Sequence, residues 1–319
     1  MLSASHLDQI LGVLLENFGS DDPEISLEAN PGTVSLDFLT NLRKAGFNRL
    51  SFGVQSFHTQ ELQFLERIHD PYDVSRSMDY ARRAGFDNIN LDLIYGLPEQ
   101  TLTRWKKNLE YALIFHPEHL SLYALTIETG TPLGRWHERG LVSPPDPDLA
   151  ADMYELASTL LSSNGYEQYE ISNWSMSGRN CIHNLQYWQN LPYLGFGAGA
   201  HGFANGMRYS NVLRIKTYLE RFTSVSNHLK FPLSPAHVAH RCVPAMTEMQ
   251  ETMMLGLRLT RLGVNRYEFF NRFGKGMTEV FGKEIDGLLA SGLLEWEGDV
   301  LHLTPKGRLL GNQVFLNFV

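Results

Sequence analysis

The stretch Lys44-Ala45-Gly46-Phe47-Asn48-Arg49-Leu50 returns almost unchanged as Arg83-Ala84-Gly85-Phe86-Asp87-Asn88-Ile89. In each copy a glycine is placed to end a helix in the left-handed conformation, and a β-rich run follows at once. Two equivalent helix-to-strand joints imply a repeated βα unit, and with it a parallel sheet. Four β-rich runs fit that pattern: Ile25–Ala29, Arg49–Val54, Ile89–Tyr95 and His119–Leu125. Helical patterns alternate with them, after Ser35, after Thr59 (Leu62, Leu65, Ile68), over 74–84, and from Thr101 to Phe115. Four parallel strands cannot close a barrel, so an open or incomplete sheet is expected.

Before the first run, Leu7, Ile10, Leu11, Leu14, Leu15 and Phe18 fall at helical spacing, with Ser5 read as the N-cap. The pattern is expected to form an amphipathic helix and reads unlike a secretory leader. Ser143-Pro144-Pro145-Asp146-Pro147-Asp148 marks a boundary, after which Asp148 is read as the cap of a helix to Ser163. Residues 166–206 are rich in aromatics, Asn and Gly, with little periodicity. Helices are expected near 248–260, 266–273 and 277–290, then a hairpin at Glu297-Gly298-Asp299 and a helix capped by Thr304. The chain thus divides into 1–142 (the βα units), 143–246 (a linker, a helix and the aromatic segment) and 247–319 (a small helical domain with a winged hairpin).

The net charge of −8 argues against a nucleic-acid partner, which needs a basic face. Arg258, Arg261, Lys306 and Arg308 form no basic stripe around the hairpin. The two cysteines, Cys181 and Cys242, make no paired motif, so a reducing cytoplasm is the expected setting.

Ligands of parallel α/β folds bind at the C-terminal edge of the sheet. There the sequence places Glu28 and Asn30 on the first run, Gln55 after the second, and Asn90 and Asp92 on one face of the third. A carboxylate within Ile89-Asn90-Leu91-Asp92-Leu93-Ile94 is costly unless something pairs with it. Loop capping by Asp92 and Glu28, or their pairing with Arg49 or Arg67, is the bland reading; a ligand mouth is the functional one.

Leu27-Glu28-Ala29-Asn30-Pro31-Gly32, Gly53-Val54-Gln55-Ser56-Phe57, Arg67-Ile68-His69, Asn90-Leu91-Asp92-Leu93-Ile94-Tyr95-Gly96-Leu97-Pro98 and Leu120-Ser121-Leu122-Tyr123-Ala124-Leu125 resemble strand motifs of the radical S-adenosylmethionine (SAM) proteins. The likeness is to their oxygen-independent coproporphyrinogen dehydrogenase branch and runs from end to end. It implies a partial (β/α)6 barrel with SAM across its mouth. Glu28 would take the methionyl ammonium, Arg67 its carboxylate and Asp92 the ribose hydroxyls, with Gln55 beside them.

The resemblance also implies three closely spaced cysteines for a [4Fe–4S] cluster and a Gly-Gly-Thr-Pro turn. Neither occurs in this sequence, and Ser3-Ala4-Ser5-His6-Leu7 resembles the segment just after that turn. The expectation is a chain without its first two βα units, through truncation or a late start, and without radical catalysis of its own.

Cys181-Ile182-His183-Asn184-Leu185-Gln186-Tyr187-Trp188 is the second informative stretch, followed by Gly195-Phe196-Gly197-Ala198-Gly199-Ala200-His201-Gly202. Histidine and thiolate both ligate heme iron, and Tyr187 and Trp188 could stack on a porphyrin. Taken alone, a histidine beside aromatics is more often structural. However, His-Asn-x-x-Tyr-Trp resembles the hallmark of the HemW-type heme chaperones, as does Tyr166-Glu167-Gln168-Tyr169-Glu170. The resemblance implies heme as cargo, with His183 as first ligand candidate, then Cys181, and His201 as an alternative. It further implies a heme-accepting partner such as a respiratory enzyme, with any membrane association arising through that acceptor. The competing readings are a coproporphyrinogen III oxidase-like enzyme and a remnant without function.

Overall fold

The computed structural model describes residues 2–19, 21–223 and 229–319. The chain forms two compact units, Met1–Asn180 and Cys181–Val319. The division falls inside the segment 143–246 that the sequence marks as linking.

In the first unit, α1 (Ala4–Asn17), β1 (Ser26–Ala29), α2 (Leu36–Ala45), β2 (Arg49–Gln55), α3 (Thr59–Phe64), α4 (Pro71–Arg83), β3 (Ile89–Tyr95), α5 (Leu102–Ile114) and β4 (His119–Ala124) follow one another. Then come α6 (Pro132–Glu138), α7 (Pro147–Ser163), β5 (Glu167–Glu170) and β6 (Asn173–Ser175). The six strands make one sheet in the order β1-β2-β3-β4-β6-β5. β1 to β4 are parallel, and β6 runs antiparallel to both β4 and β5.

The repeated joint behaves as its glycines require. Gly46 caps α2 at φ 115° and Gly85 stands at φ 92° after α4, both conformations that a Cβ disfavours. The central parts of β2, β3 and β4 then alternate. Leu50, Phe52, Leu91, Leu93, Leu120 and Leu122 are buried on the helix side, and polar residues take the other face. Trp105 of α5 is fully buried and donates its indole N–H to the Met153 carbonyl of α7 (2.9 Å), which fixes α7 as the crossover between β4 and β5.

Several sequence expectations change. The cap of α1 is Ser3, not Ser5: its hydroxyl accepts the His6 N–H at 3.3 Å. The cap of α7 is Asp146, not Asp148, because Pro147 is pre-set for the first helical position. Helix α3 stops at Phe64, and Ile68, expected on its buried stripe, is 93% exposed. Glu66 at φ 53° turns the chain out of the helix, and His69 Nε2 donates to the Val54 carbonyl at 3.0 Å. The segment expected to lack regular structure supplies β5 and β6, whose shortness hid them from periodicity.

The second unit begins with α8 (Ile182–Trp188), β7 (His201–Ala204), β8 (Met207–Asn211), α9 (Ile215–Thr223) and β9 (His237–Cys242). Strands β7, β8 and β9 form an antiparallel sheet. It continues through α10 (Ala245–Gly256), β10 (Val264–Asn265), α11 (Arg266–Phe273), α12 (Met277–Ala290), β11 (Leu294–Glu297), β12 (Val300–Leu303), α13 (Pro305–Leu309) and α14 (Gly311–Phe315). The hairpin β11–β12 gains β10 as a third strand, and Thr304 caps α13 with Pro305 first, as expected. The first helix of this region is α10, which starts and ends earlier than the 248–260 read from the sequence. No helix among the described residues is long and apolar enough to cross a membrane.

Candidate functional site

Register places the polar residues of the first unit in a row. Glu28 is opposite Ser51, Ser51 opposite Asn90, Asn90 opposite His119, and Asp92 opposite Ser121. Paired residues share a face, so these side chains converge on the side of the sheet away from the helices.

Their hydrogen bonds run in one direction. The Asn90 amide donates to Asp92 Oδ1 at 2.8 Å and to Ser51 Oγ at 2.7 Å. Ser51 in turn donates to Asp92 Oδ2 at 3.1 Å. The Asn90 carbonyl oxygen accepts from Ser121 Oγ at 3.1 Å and from His119 Nδ1 at 2.6 Å. His119 Nε2 accepts from the Tyr169 hydroxyl at 2.8 Å. That tautomer is the one in which each contact has one donor and one acceptor. Burial, aided by the nearby Arg49 charge, holds the His119 pKa well below the usual imidazole value of 6.5.

Asp92 therefore sits at the receiving end. Burial raises its pKa, hydrogen bonds from Asn90, Ser121 and Ser51 oppose the rise, and the Glu28 charge adds to it. The Tyr123 hydroxyl is pushed up to about 12 by burial and then by Asp92. An ionised carboxylate has about four acceptor sites; Asn90 and Ser51 donate to Asp92 and Ser121 also bears on it, which leaves about one site for a ligand's hydroxyl. Among the described residues no ion pair joins Asp92 to Arg49 or Arg67; Asn90 and Ser51 hold its carboxylate instead.

Gln55 stands at the end of β2 with φ 66°, after a register shift that begins at Phe52. A Cβ on Gly53 would lie 2.9 Å from Gln55 Nε2 and 3.4 Å from Asn30 Oδ1, so a larger residue there would displace the ends of both side chains. Glu28 and Arg67 are exposed. Arg67 belongs to the loop that His69 ties to β2.

A second buried network, missed in the sequence, holds the loops around this mouth. Glu61 is 4% exposed. Its Oε2 accepts from Ser56 Oγ (2.6 Å), Asn108 Nδ2 (2.9 Å) and Gln100 Nε2 (3.1 Å). Gln100 Oε1 accepts from the Gly96 N–H at 2.8 Å, and Asn108 Oδ1 from the Phe57 N–H at 2.9 Å. The turns after β2 and β3 are thereby locked to each other. The isolated polar letters of α3 and α5 gave no sign of this, because it depends on helix-to-helix placement.

In the second unit, the His-Asn-x-x-Tyr-Trp residues form one face of α8. Cys181 is its N-cap residue and is buried, whereas His183 is exposed. The His183 ring meets Tyr187 edge-on at 4.8 Å, and Tyr187 meets Tyr193 at 4.5 Å. The Arg258 guanidinium lies over Trp188 at 4.5 Å, so that ring already carries a stacked partner. Past the end of α8, Asn190 (φ 51°) turns the chain, and its carbonyl accepts from Arg272 at 2.6 Å. Arg272 also pairs with Glu248 of α10 at 2.7 Å. A cleft of about 400 Å³ opens beside this helix, walled by Tyr187, Trp188, Tyr193, Met254 and Leu255.

His201 begins β7 and is exposed. The glycines around it serve packing. A Cβ at Gly195 would lie 2.0 Å from the His201 carbonyl oxygen, and one at Gly202 within 2.4 Å of the Tyr209 ring. Asn211 Nδ2 and the Tyr209 hydroxyl bind the Gly195 backbone (3.3 and 2.9 Å).

Residues 4–112 match the model of the Radical SAM superfamily, and residues 243–310 match the HemN C-terminal domain. The heme chaperone HemW of Bacillus subtilis is 38% identical over 300 residues, covering 94% of this chain and 77% of that protein. The chain belongs to the HemW family. The Lactococcus lactis heme chaperone HemW is 35% identical over 320 residues, covering 100% of this chain and 82% of that one. In fold, it resembles the coproporphyrinogen III oxidase HemN of Escherichia coli, with a TM-score of 0.80 at 22% identity over 99% of this chain and 74% of that chain.

Glu28, Gln55, Arg67 and Asp92 fall within the radical-SAM segment of this HemW-family chain, and His183 to Trp188 fall between the two matched segments. The cluster that the superfamily implies does not fit the residues present in this sequence. Both cysteines stand in the second unit, one buried and one exposed. Among the described residues no three His, Cys, Asp or Glu side chains are grouped for a metal.

Proposed function

We propose that this chain is a heme carrier that binds heme beside α8 and passes it to an acceptor protein. The carrying observation is the placement of the His-Asn-x-x-Tyr-Trp helix: an exposed imidazole at one end, and a cleft walled by Tyr187, Tyr193, Met254 and Leu255 alongside. A porphyrin needs an apolar, aromatic surface and an accessible axial ligand. His183 supplies the ligand. Cys181 ranks below it because its side chain is buried at the helix start. Family membership supports heme as the cargo, since the relatives compared carry that role in their names.

We assign the mouth of the first unit to SAM. Asp92 takes the ribose hydroxyls, Glu28 the ammonium and Arg67 the carboxylate, with Gln55 closing over Gly53. The residues fit that group by charge and hydrogen-bond type, while the cluster that would complete the site lacks its thiolates here. The full-length relatives named for the chaperone role favour the carrier over a coproporphyrinogen III oxidase-like enzyme. The acceptor is a heme protein such as a respiratory enzyme, and any association with a membrane comes through it. Cytoplasmic residence suits two cysteines that form no disulfide.

Transfer tests this directly. The hemin-loaded chain mixed with an apo-heme protein should donate heme faster than free hemin supplies it. Transfer no faster than from free hemin would remove the carrier role.

A further inference from the structure

The cleft beside α8 holds one feature that an apolar heme surface does not need: an ion pair between a buried carboxylate and a half-buried guanidinium. Arg208 of β8 donates to both oxygens of Glu251 on α10, at 2.6 Å each. Glu251 is 8% exposed, and both residues line the cleft with Tyr187 and Tyr193. The Arg208 guanidinium also lies over the Phe203 ring at 5.4 Å, which fixes its plane. A guanidinium has five N–H donors. Glu251 takes two, and among the described residues the Arg208 guanidinium makes no other hydrogen bond. The group is thus pre-oriented, desolvated on one edge and still able to donate on another, which suits bidentate recognition of a second carboxylate.

Heme presents an apolar disc and two propionates. A chain of net charge −8 repels such a dianion at long range, so a fixed cation at the cleft decides whether the acidic end is tolerated. Glu251 plays two opposed parts: it holds Arg208 in place, and its own charge competes with an incoming carboxylate. We propose that Arg208 anchors a propionate of the tetrapyrrole, with Glu251 as the built-in competitor that keeps binding reversible. This rests on the heme-carrier reading and adds the group by which the ligand's polar end is recognised.

The experiment compares hemin with hemin dimethyl ester, whose propionates carry no charge, by Soret titration of the full chain. Hemin should bind the wild type about tenfold or more tighter than the ester. Arg208→Gln should remove that preference. Glu251→Gln, which keeps a carbonyl oxygen to hold Arg208 but lacks the charge, should tighten hemin and leave the ester unchanged. A pair that only held β8 to α10 would give weaker binding of both ligands in both variants. That result, or equal binding of hemin and ester by the wild type, overturns the anchor while leaving the carrier reading intact. Failure of the wild type to bind hemin at all overturns both.

Discussion

His119 Nδ1 donates to the Asn90 carbonyl oxygen at 2.6 Å, and the same Asn90 donates to Asp92 at 2.8 Å. One fully buried neutral imidazole therefore sets the orientation of the amide that serves the site carboxylate. Turning the amide round would set an acceptor against Asp92 and an N–H against His119.

The protonation state of His119 makes this measurable. Its pKa in the folded chain lies well below 6.5, the value for an unperturbed imidazole. Below pH 6.5 the unfolded chain takes up a proton that the folded chain refuses, so stability falls as the pH drops. Melting temperatures from about pH 7.5 to about pH 5 should decline more steeply for the wild type than for His119→Gln. Parallel declines would mean that His119 is not the group responsible.

Glu61 holds three buried donors at once. Glu61→Ala leaves Ser56, Asn108 and Gln100 without their acceptor, and should cost about 3 kcal/mol in chemical denaturation. It should also open the turns after β2 and β3 to proteolysis. An unchanged denaturation midpoint would show that the network does not hold the two turns together.

Two glycines should respond in opposite directions. Gly195→Ala drives a Cβ into the His201 backbone, and should destabilise by about 2 kcal/mol or more. Gly287 is exposed inside α12 with nothing within 4 Å of an added Cβ, so Gly287→Ala should stabilise by about 0.5–1 kcal/mol. Thermal melts of the two variants check both signs.

Much of this molecule was legible in the sequence where local chemistry repeats. The Gly46 and Gly85 joints, the strands flanking them and the Thr101, Thr304 and Ser35 caps all depend on residues within a few positions of one another. The polar row was half legible. Glu28, Gln55, Asn90 and Asp92 stood out as polar letters on the strands, but His119 and Ser51 acquire their meaning from register between strands. Strands β5 and β6 were not legible, because runs of three or four residues show no period and pair with strands remote in sequence. Competing signals misplaced the caps at Ser3 and Asp146, where another Ser or Asp stood two residues on. Arg208 and Glu251 lie far apart along the chain, and nothing in either neighbourhood announces their pairing.

The central claim is that heme is held at α8 through His183. Hemin titration of the wild type should give a Soret band characteristic of a ligated iron, and His183→Ala should shift or abolish that band and weaken binding. A His183→Ala chain whose Soret spectrum and hemin affinity match those of the wild type would contradict the account.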